Sequence, residues 1–248
     1  ADAIRTKDFD WNISLNLAHN ENEVTRLSND VFTMDKILLG DVFIRGGSSS
    51  GTHVLEEGRP IGQFYGLVCN GIDENGRYIM VDKDGDGEIS DPADYDYIGS
   101  AQPKLTYGIT NTFRYKNFDL SFFLRGTIGN DILNATRMAY AQSGFLPGTN
   151  ALDDPLTYTL SETPRFSNYY LEKGSFMRLD NLTLGYKIKA LNGIRVYFTA
   201  QNLFVITKYK GLDPEVPMDS GDGLTPGVEP REFYPKARTF SVGLNLNF

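Results

Sequence analysis

The chain has 248 residues, 40% of them hydrophobic, with a mean hydropathy of −0.32 and a formal charge of −8. The acidic balance excludes a nucleic-acid partner, because phosphate binding needs a basic face. No run approaches the ~18–20 apolar residues of a spanning helix, which excludes a helical membrane protein.

Low hydropathy leaves a membrane β-barrel open, since its strands need only every second residue apolar. The 16 Phe and 14 Tyr fit β structure in general and also the aromatic girdles of such barrels. A single cysteine, Cys69, gives neither a disulfide framework nor a cysteine metal site. His19 and His53 lie far apart, outside any metalloprotease pattern, and read as surface residues. The chain opens on Ala1-Asp2-Ala3-Ile4, without an initiator Met or signal peptide, and is expected to be the C-terminal part of something longer.

In chain order, residues 9–19 come first: Phe9, Trp11, Ile13, Leu15 and Leu17 alternate with Asp10, Asn12, Ser14, Asn16 and Ala18. Successive strand side chains point to opposite faces, and ~9–11 tilted residues cross a bilayer, so this is a spanning-length strand. Residues 20–103 read as a long, irregular insertion. Within it Gly46-Gly47-Ser48-Ser49-Ser50-Gly51 has the composition of a flexible linker. No Lys-Ser/Thr follows it, so it is not a phosphate loop. Gly71-Ile72-Asp73-Glu74-Asn75-Gly76 signals a turn, and residues 78–81 a short strand.

Residues 105–115 and 118–128 alternate again and flank only Lys116-Asn117, which predicts a hairpin. A long connection, 129–173, follows, with a short helix expected at 135–143. Strands are expected at 176–188 and 194–202, joined by a short turn at 189–193. After another long, Gly-, Asp- and Pro-rich loop at 207–236, the sequence ends on residues 238–248, with Phe240, Val242, Leu244, Leu246 and Phe248 on one face.

Short and long connections therefore alternate. Structureless loops beyond ~12–15 residues are uncommon in compact soluble domains, whereas outer-membrane barrels put short turns inside and long loops outside. The expected fold is all-β, a transmembrane antiparallel β-barrel with long extracellular loops. Strands beginning at 9, 118 and 194 run outward, and those at 105, 176 and 238 inward. Six spanning strands are fewer than the eight of the smallest known barrels, so 1–248 is expected to be the C-terminal part of one barrel. Phe240, Leu244, Leu246 and Phe248 are then the barrel seam and assembly signal. Alternation alone assigns Arg114, Asp119, Arg125, Arg195 and Gln201 to the lumen, as substrate contacts or as polar braces of the wall.

One local motif stands apart. Asp82-Lys83-Asp84-Gly85-Asp86-Gly87-Glu88-Ile89-Ser90 has carboxylates at positions 1, 3 and 5 and Gly at 6, the spacing of a calcium loop. Position 12 is Ala93 rather than Glu, and Asp94 lies one residue late. Asp82, Asp84, Asp86, Glu88, Ser90 and Asp94 are the candidate ligands for Ca²⁺ or Mg²⁺; the alternative is an Asp-Gly turn that needs no metal. No catalytic constellation accompanies it, so the chain reads as a non-enzyme.

Several segments together resemble the C-terminal part of SusC/RagA-type TonB-dependent outer-membrane transporters of Bacteroidota. They include Trp11-Asn12-Ile13-Ser14-Leu15-Asn16, Glu57-Gly58-Arg59-Pro60-Ile61-Gly62-Gln63-Phe64-Tyr65-Gly66, the Asp82 loop and Ile98-Gly99-Ser100-Ala101-Gln102-Pro103-Lys104. Further on they include Gly174-Ser175-Phe176-Met177-Arg178-Leu179-Asp180-Asn181, Gln201-Asn202-Leu203-Phe204, Asp213-Pro214-Glu215 and Tyr234-Pro235-Lys236-Ala237-Arg238-Thr239. The resemblance implies a 22-stranded barrel in the bacterial outer membrane, with an N-terminal plug and TonB box outside this sequence. It implies import of oligosaccharides or peptides under a SusD/RagB-like surface lipoprotein lid. Energy would come from TonB-ExbB-ExbD acting through the missing N-terminal part, and the wall would contact outer-membrane lipid. The alternative class is a secreted calcium-binding β-sandwich, an adhesin or glycan-binding module.

Overall fold

A computed structural model describes residues 1–44, 47–144, 146–189, 194–217, 223–231 and 234–246. In chain order the elements are β1 (Asp2–Arg5), β2 (Phe9–Ala18), β3 (Lys36–Ile44), β4 (Gly47–Glu56), β5 (Gln63–Leu67), β6 (Cys69–Ile72), β7 (Tyr78–Met80) and β8 (Tyr95–Ser100). Then come β9 (Leu105–Tyr115), β10 (Phe118–Ile128), β11 (Asp131–Leu133), α1 (Ala135–Tyr140), α2 (Pro155–Thr159), a 3₁₀ turn (Asn168–Tyr170) and β12 (Leu171–Lys173). The last three are β13 (Phe176–Ile188), β14 (Ile194–Thr207) and β15 (Thr239–Asn245).

The main sheet is an antiparallel meander in the order β1-β2-β9-β10-β13-β14-β15. All six expected long strands are present, and three of them keep the expected limits. Two differences are additions: β1, too short to carry a period-2 signal, and the extension of β14 to Thr207. The β9–β10 hairpin turns on Lys116, whose φ of 52° supplies the positive φ that tight hairpin turns demand. Of the second short turn, residues 190–193 lie outside the described residues, as does Phe248.

Register sorts the side chains into two faces. One carries Leu15, Leu17, Ile109, Phe113, Leu120, Phe122, Leu182, Leu184, Phe198, Phe240, Val242 and Leu244. Many of these are openly exposed: Leu17 at 60%, Val242 at 76% and Leu244 at 61%. A β-sandwich would cover such a face with a second sheet; among the described residues no sheet covers it. Aromatic rings stack from strand to strand near the hairpin end, Trp11 on Phe113 at 5.5 Å, Phe113 on Phe122 at 6.0 Å and Phe118 against Tyr186 at 4.6 Å. Asn111, on this face, is buried and accepts a hydrogen bond from the Trp11 indole at 3.0 Å.

All three long connections leave the other end of the sheet, and here the expectation of irregular loops fails. Residues 20–103 fold into a four-stranded sheet, β3-β4-β5-β8, and the small β6-β7 ladder. The Gly/Ser stretch is not a linker: from Gly47 it is part of β4, paired along β3 (Gly46 lies outside the described residues). Gly51, at φ 76°, sits where the β3–β4 register shifts, so this glycine serves a bulge rather than flexibility. His53 is not a surface residue either. It is fully buried against Phe64, with Nε2 2.9 Å from the Pro226 carbonyl oxygen and Nδ1 3.0 Å from the Thr52 hydroxyl.

Val42, Phe64 and Ala101 from the first connection share one core with Leu133, Met138, Leu156, Phe166 and Tyr170 from the second, and Val228 from the third packs against it. Burying each large side chain contributes ~1.5–3 kcal/mol, so the three connections stabilise one another as a single cap.

Candidate functional site

The second face of the main sheet is polar. In register across it stand Arg5, Asp10, Arg114 and Asp119, opposite one another on β1, β2, β9 and β10. Arg195 on β14 completes the row by reaching over β13: its Nε and Nη2 lie 2.9 and 2.5 Å from the two Asp119 oxygens. The position it crosses is Gly185, where a Cβ would fall 2.5 Å from both Arg195 Nη2 and Asp119 Oδ1. A cavity of about 260 Å³ at this end has Arg5, Asp10 and Arg114 in its lining, beside the apolar Ile4 and Trp11. Gln201 stands exposed opposite Asn181 and Thr239.

Arg125 lies on the same face at the loop end, within a cluster that alternation did not foresee. The register of β13 shifts around Asp180 on both sides, and Asn202 on β14 has φ 51°, a left-handed conformation that Asn tolerates. This bulge brings Asp180 to 3.0 Å from Arg125 Nε. Glu215, from the third connection, takes both Arg125 Nη groups at 2.5 and 3.0 Å and Lys236 Nζ at 2.5 Å. Arg178, 1% exposed, pairs with Asp213 at 2.5 Å, donates to Asn202 and lies 3.4 Å from Glu215. Burial alone would raise the Glu215 carboxyl; hydrogen bonds from Arg125 and Lys236 outweigh it and hold the group below the usual carboxylate range. The available signal for this cluster was Arg178 and Asp180, two charges inside a spanning-length strand. Arg178 finds its partners Asn202, Asp213 and Glu215 further on in the sequence, 24 and 35 residues away for the first two, and Asp180 finds Arg125 55 residues back.

In the acidic loop the carboxylates of Asp82, Asp84 and Asp86 bring one oxygen each within 4.8 Å of one another, all exposed. The loop curls because these carboxylates accept its own amides: Asp82 from Gly85 and Gly87, Asp84 from Asp86, and Asp86 from Glu88. Glu88 does not join the group. Asp94 is buried beneath the loop with both oxygens engaged, accepting from Lys83 at 2.6 Å and Ser90 at 2.7 Å. Hydrogen bonds from the Ser90 and Lys83 amides hold its carboxyl below the usual range. Three oxygen donors at close approach suit a hard divalent cation.

An antiparallel meander with one apolar face, one polar face and every long connection at one end defines a portion of a transmembrane-type β-barrel. Over its full length the chain is homologous to SusC and other TonB-dependent receptors. It is 36% identical, over an alignment of 267 residues, to the TonB-dependent receptor SusC of Bacteroides thetaiotaomicron, covering 100% of this chain and 25% of that protein. To the TonB-dependent receptor P3 of Formosa agariphila it is 32% identical over 291 residues, covering 99% and 27%. The fold matches the RagAB peptide transporter with a TM-score of 0.74 at 25% identity, over 98% of this chain and 28% of that one. No family model matches. The chain spans about a quarter of the length of the curated relatives it matches.

Proposed function

We propose that the chain forms part of the wall and outer cap of a TonB-dependent outer-membrane importer, without catalytic chemistry of its own. The observation that carries this reading is the placement of three co-folded connections at one end of a wall with an apolar outer and a polar inner face. The cargo is a nutrient too large for passive pores, an oligosaccharide or a peptide, and the likeness to a peptide transporter supports the second. In this reading the cap meets a SusD/RagB-like lipoprotein lid, and the TonB-ExbB-ExbD complex acts through the rest of the receptor. Arg114, Asp119, Arg195 and Gln201 face the passage. Asp82, Asp84 and Asp86 hold Ca²⁺, with Mg²⁺ as the weaker competitor because a rigid octahedral site is not offered.

Deletion of the corresponding gene tests the reading. The deletion strain should fail to grow on oligosaccharide as sole carbon source or on peptide as sole nitrogen source, and the full-length gene should restore growth. Unimpaired uptake of both would overturn it.

A further inference from the structure

At the loop end of the main sheet the apolar face does not simply stop. Its last outward residues, Ile128 on β10 and Ile206 on β14, are 48% and 57% exposed, and they border a groove of about 470 Å³. Tyr107, Ser175, Lys173 and Lys208 also line it. The groove is continuous with the lipid-facing rows, because Ile128 extends the row of Phe118, Leu120, Phe122 and Leu124, and Ile206 follows Phe204. Tyr107 turns its hydroxyl inward to the Phe176 carbonyl oxygen at 3.3 Å, leaving its ring to the groove. Two lysines sit directly beyond this apolar floor on a chain whose net charge is −8. Lys173 reaches Asp131 at 2.7 Å yet stays 76% exposed. Lys208 is exposed and has no ion-pair partner among the described residues.

We propose that this groove binds a phosphorylated outer-leaflet lipid, its acyl chain against Ile128 and Ile206 and its phosphate between Lys173 and Lys208. The argument is complementarity at a defined depth. Basic side chains at the edge of an apolar band attract anionic headgroups, and an aromatic ring with a polar tip suits the same boundary. The alternation of long and short connections places this edge in the outer leaflet. The inference rests on the reading of the sheet as a membrane wall.

The test uses the full-length receptor in phosphatidylcholine nanodiscs doped with monophosphoryl lipid A or with the same glycolipid lacking its phosphate. Lipids retained after release into the gas phase are counted by native mass spectrometry. Preferential retention of the phosphorylated lipid is expected. K208Q, a change at an exposed side chain, should weaken that preference about fivefold, and K173Q/K208Q should lose it. Equal retention of the two glycolipids, or an unchanged preference in K208Q, overturns the proposal. Displacement by inorganic phosphate alone also overturns it, in favour of a simple anion site. A receptor that retains no lipid of any kind, phosphatidylcholine included, contradicts the membrane-wall reading instead.

Discussion

The Arg195 guanidinium holds both oxygens of Asp119 across an intervening strand, and it can do so only because Gly185 leaves the space empty. Sequence neighbours do not explain this pair; it depends on β13 carrying hydrogen in place of a side chain at one position. Gly185→Ala should push the pair apart and cost ~1–3 kcal/mol, as overpacking does. The readout is the temperature at which the full-length barrel loses its folded mobility on gels. In an Asp119→Ala/Arg195→Ala background the same methyl should cost clearly less. An equal cost in both backgrounds would show that Gly185 matters for some other reason.

Arg178 and Asp213 form a buried ion pair, 1% and 5% exposed. Removing one partner of such a pair leaves an uncompensated charge and costs ~3–5 kcal/mol. Arg178→Ala should therefore destabilise the receptor more than Arg125→Ala, whose side chain is 25% exposed. Replacing the pair together, as Arg178→Met with Asp213→Leu, should recover much of the loss. Urea unfolding of the vesicle-inserted barrel measures all three.

Asp94 gives the cap an acid limit. Its folded carboxyl titrates below the ordinary value because the Ser90 and Lys83 amides stabilise the charged form. Its contribution is thus fully present above the ordinary carboxylate range and is lost as pH falls through the depressed folded value. Protection of the amides across residues 82–96, relative to their intrinsic exchange rates, should stay high at neutral pH and fall only in acid. Asp94→Asn, with one acceptor oxygen, should exchange quickly at neutral pH as well.

Chelation should act on the same loop. Saturating Ca²⁺ at about 100 times its dissociation constant stabilises the bound form by about 2.7 kcal/mol. Removing it should speed proteolysis within residues 82–96, while Asp84→Asn should abolish the calcium dependence. Cleavage at one rate with and without Ca²⁺ would mean that the three carboxylates form a plain turn.

The wall was legible because period-2 alternation survives a membrane, where one face must be apolar along its full length. Leu105, Tyr115, Phe118 and Ile128 mark strand ends that sequence and structure place alike. The cap was not legible. Its strands are buried on both faces around Thr52, His53 and Val54, so they carry no clean alternation. Its core also joins residues from three connections that no local pattern links. The polar row was half legible: alternation put Asp119 and Arg195 on one face, but their contact required knowing that β13 lies between β10 and β14. Alternation put Arg125 on the polar face, while its engagement by Glu215 depended on a bulge at Asp180 that composition does not reveal.

The most direct test of the wall assignment is a cysteine scan of β10 in the full-length receptor, in membranes, from residue 119 to 125. Each single cysteine is labelled with a nitroxide and its collisions with oxygen and with a water-soluble nickel complex are compared. Positions 120, 122 and 124 should favour oxygen and positions 119, 121, 123 and 125 nickel, in strict alternation. Uniform access to nickel along the strand would contradict a sheet that faces lipid on one side and a polar passage on the other.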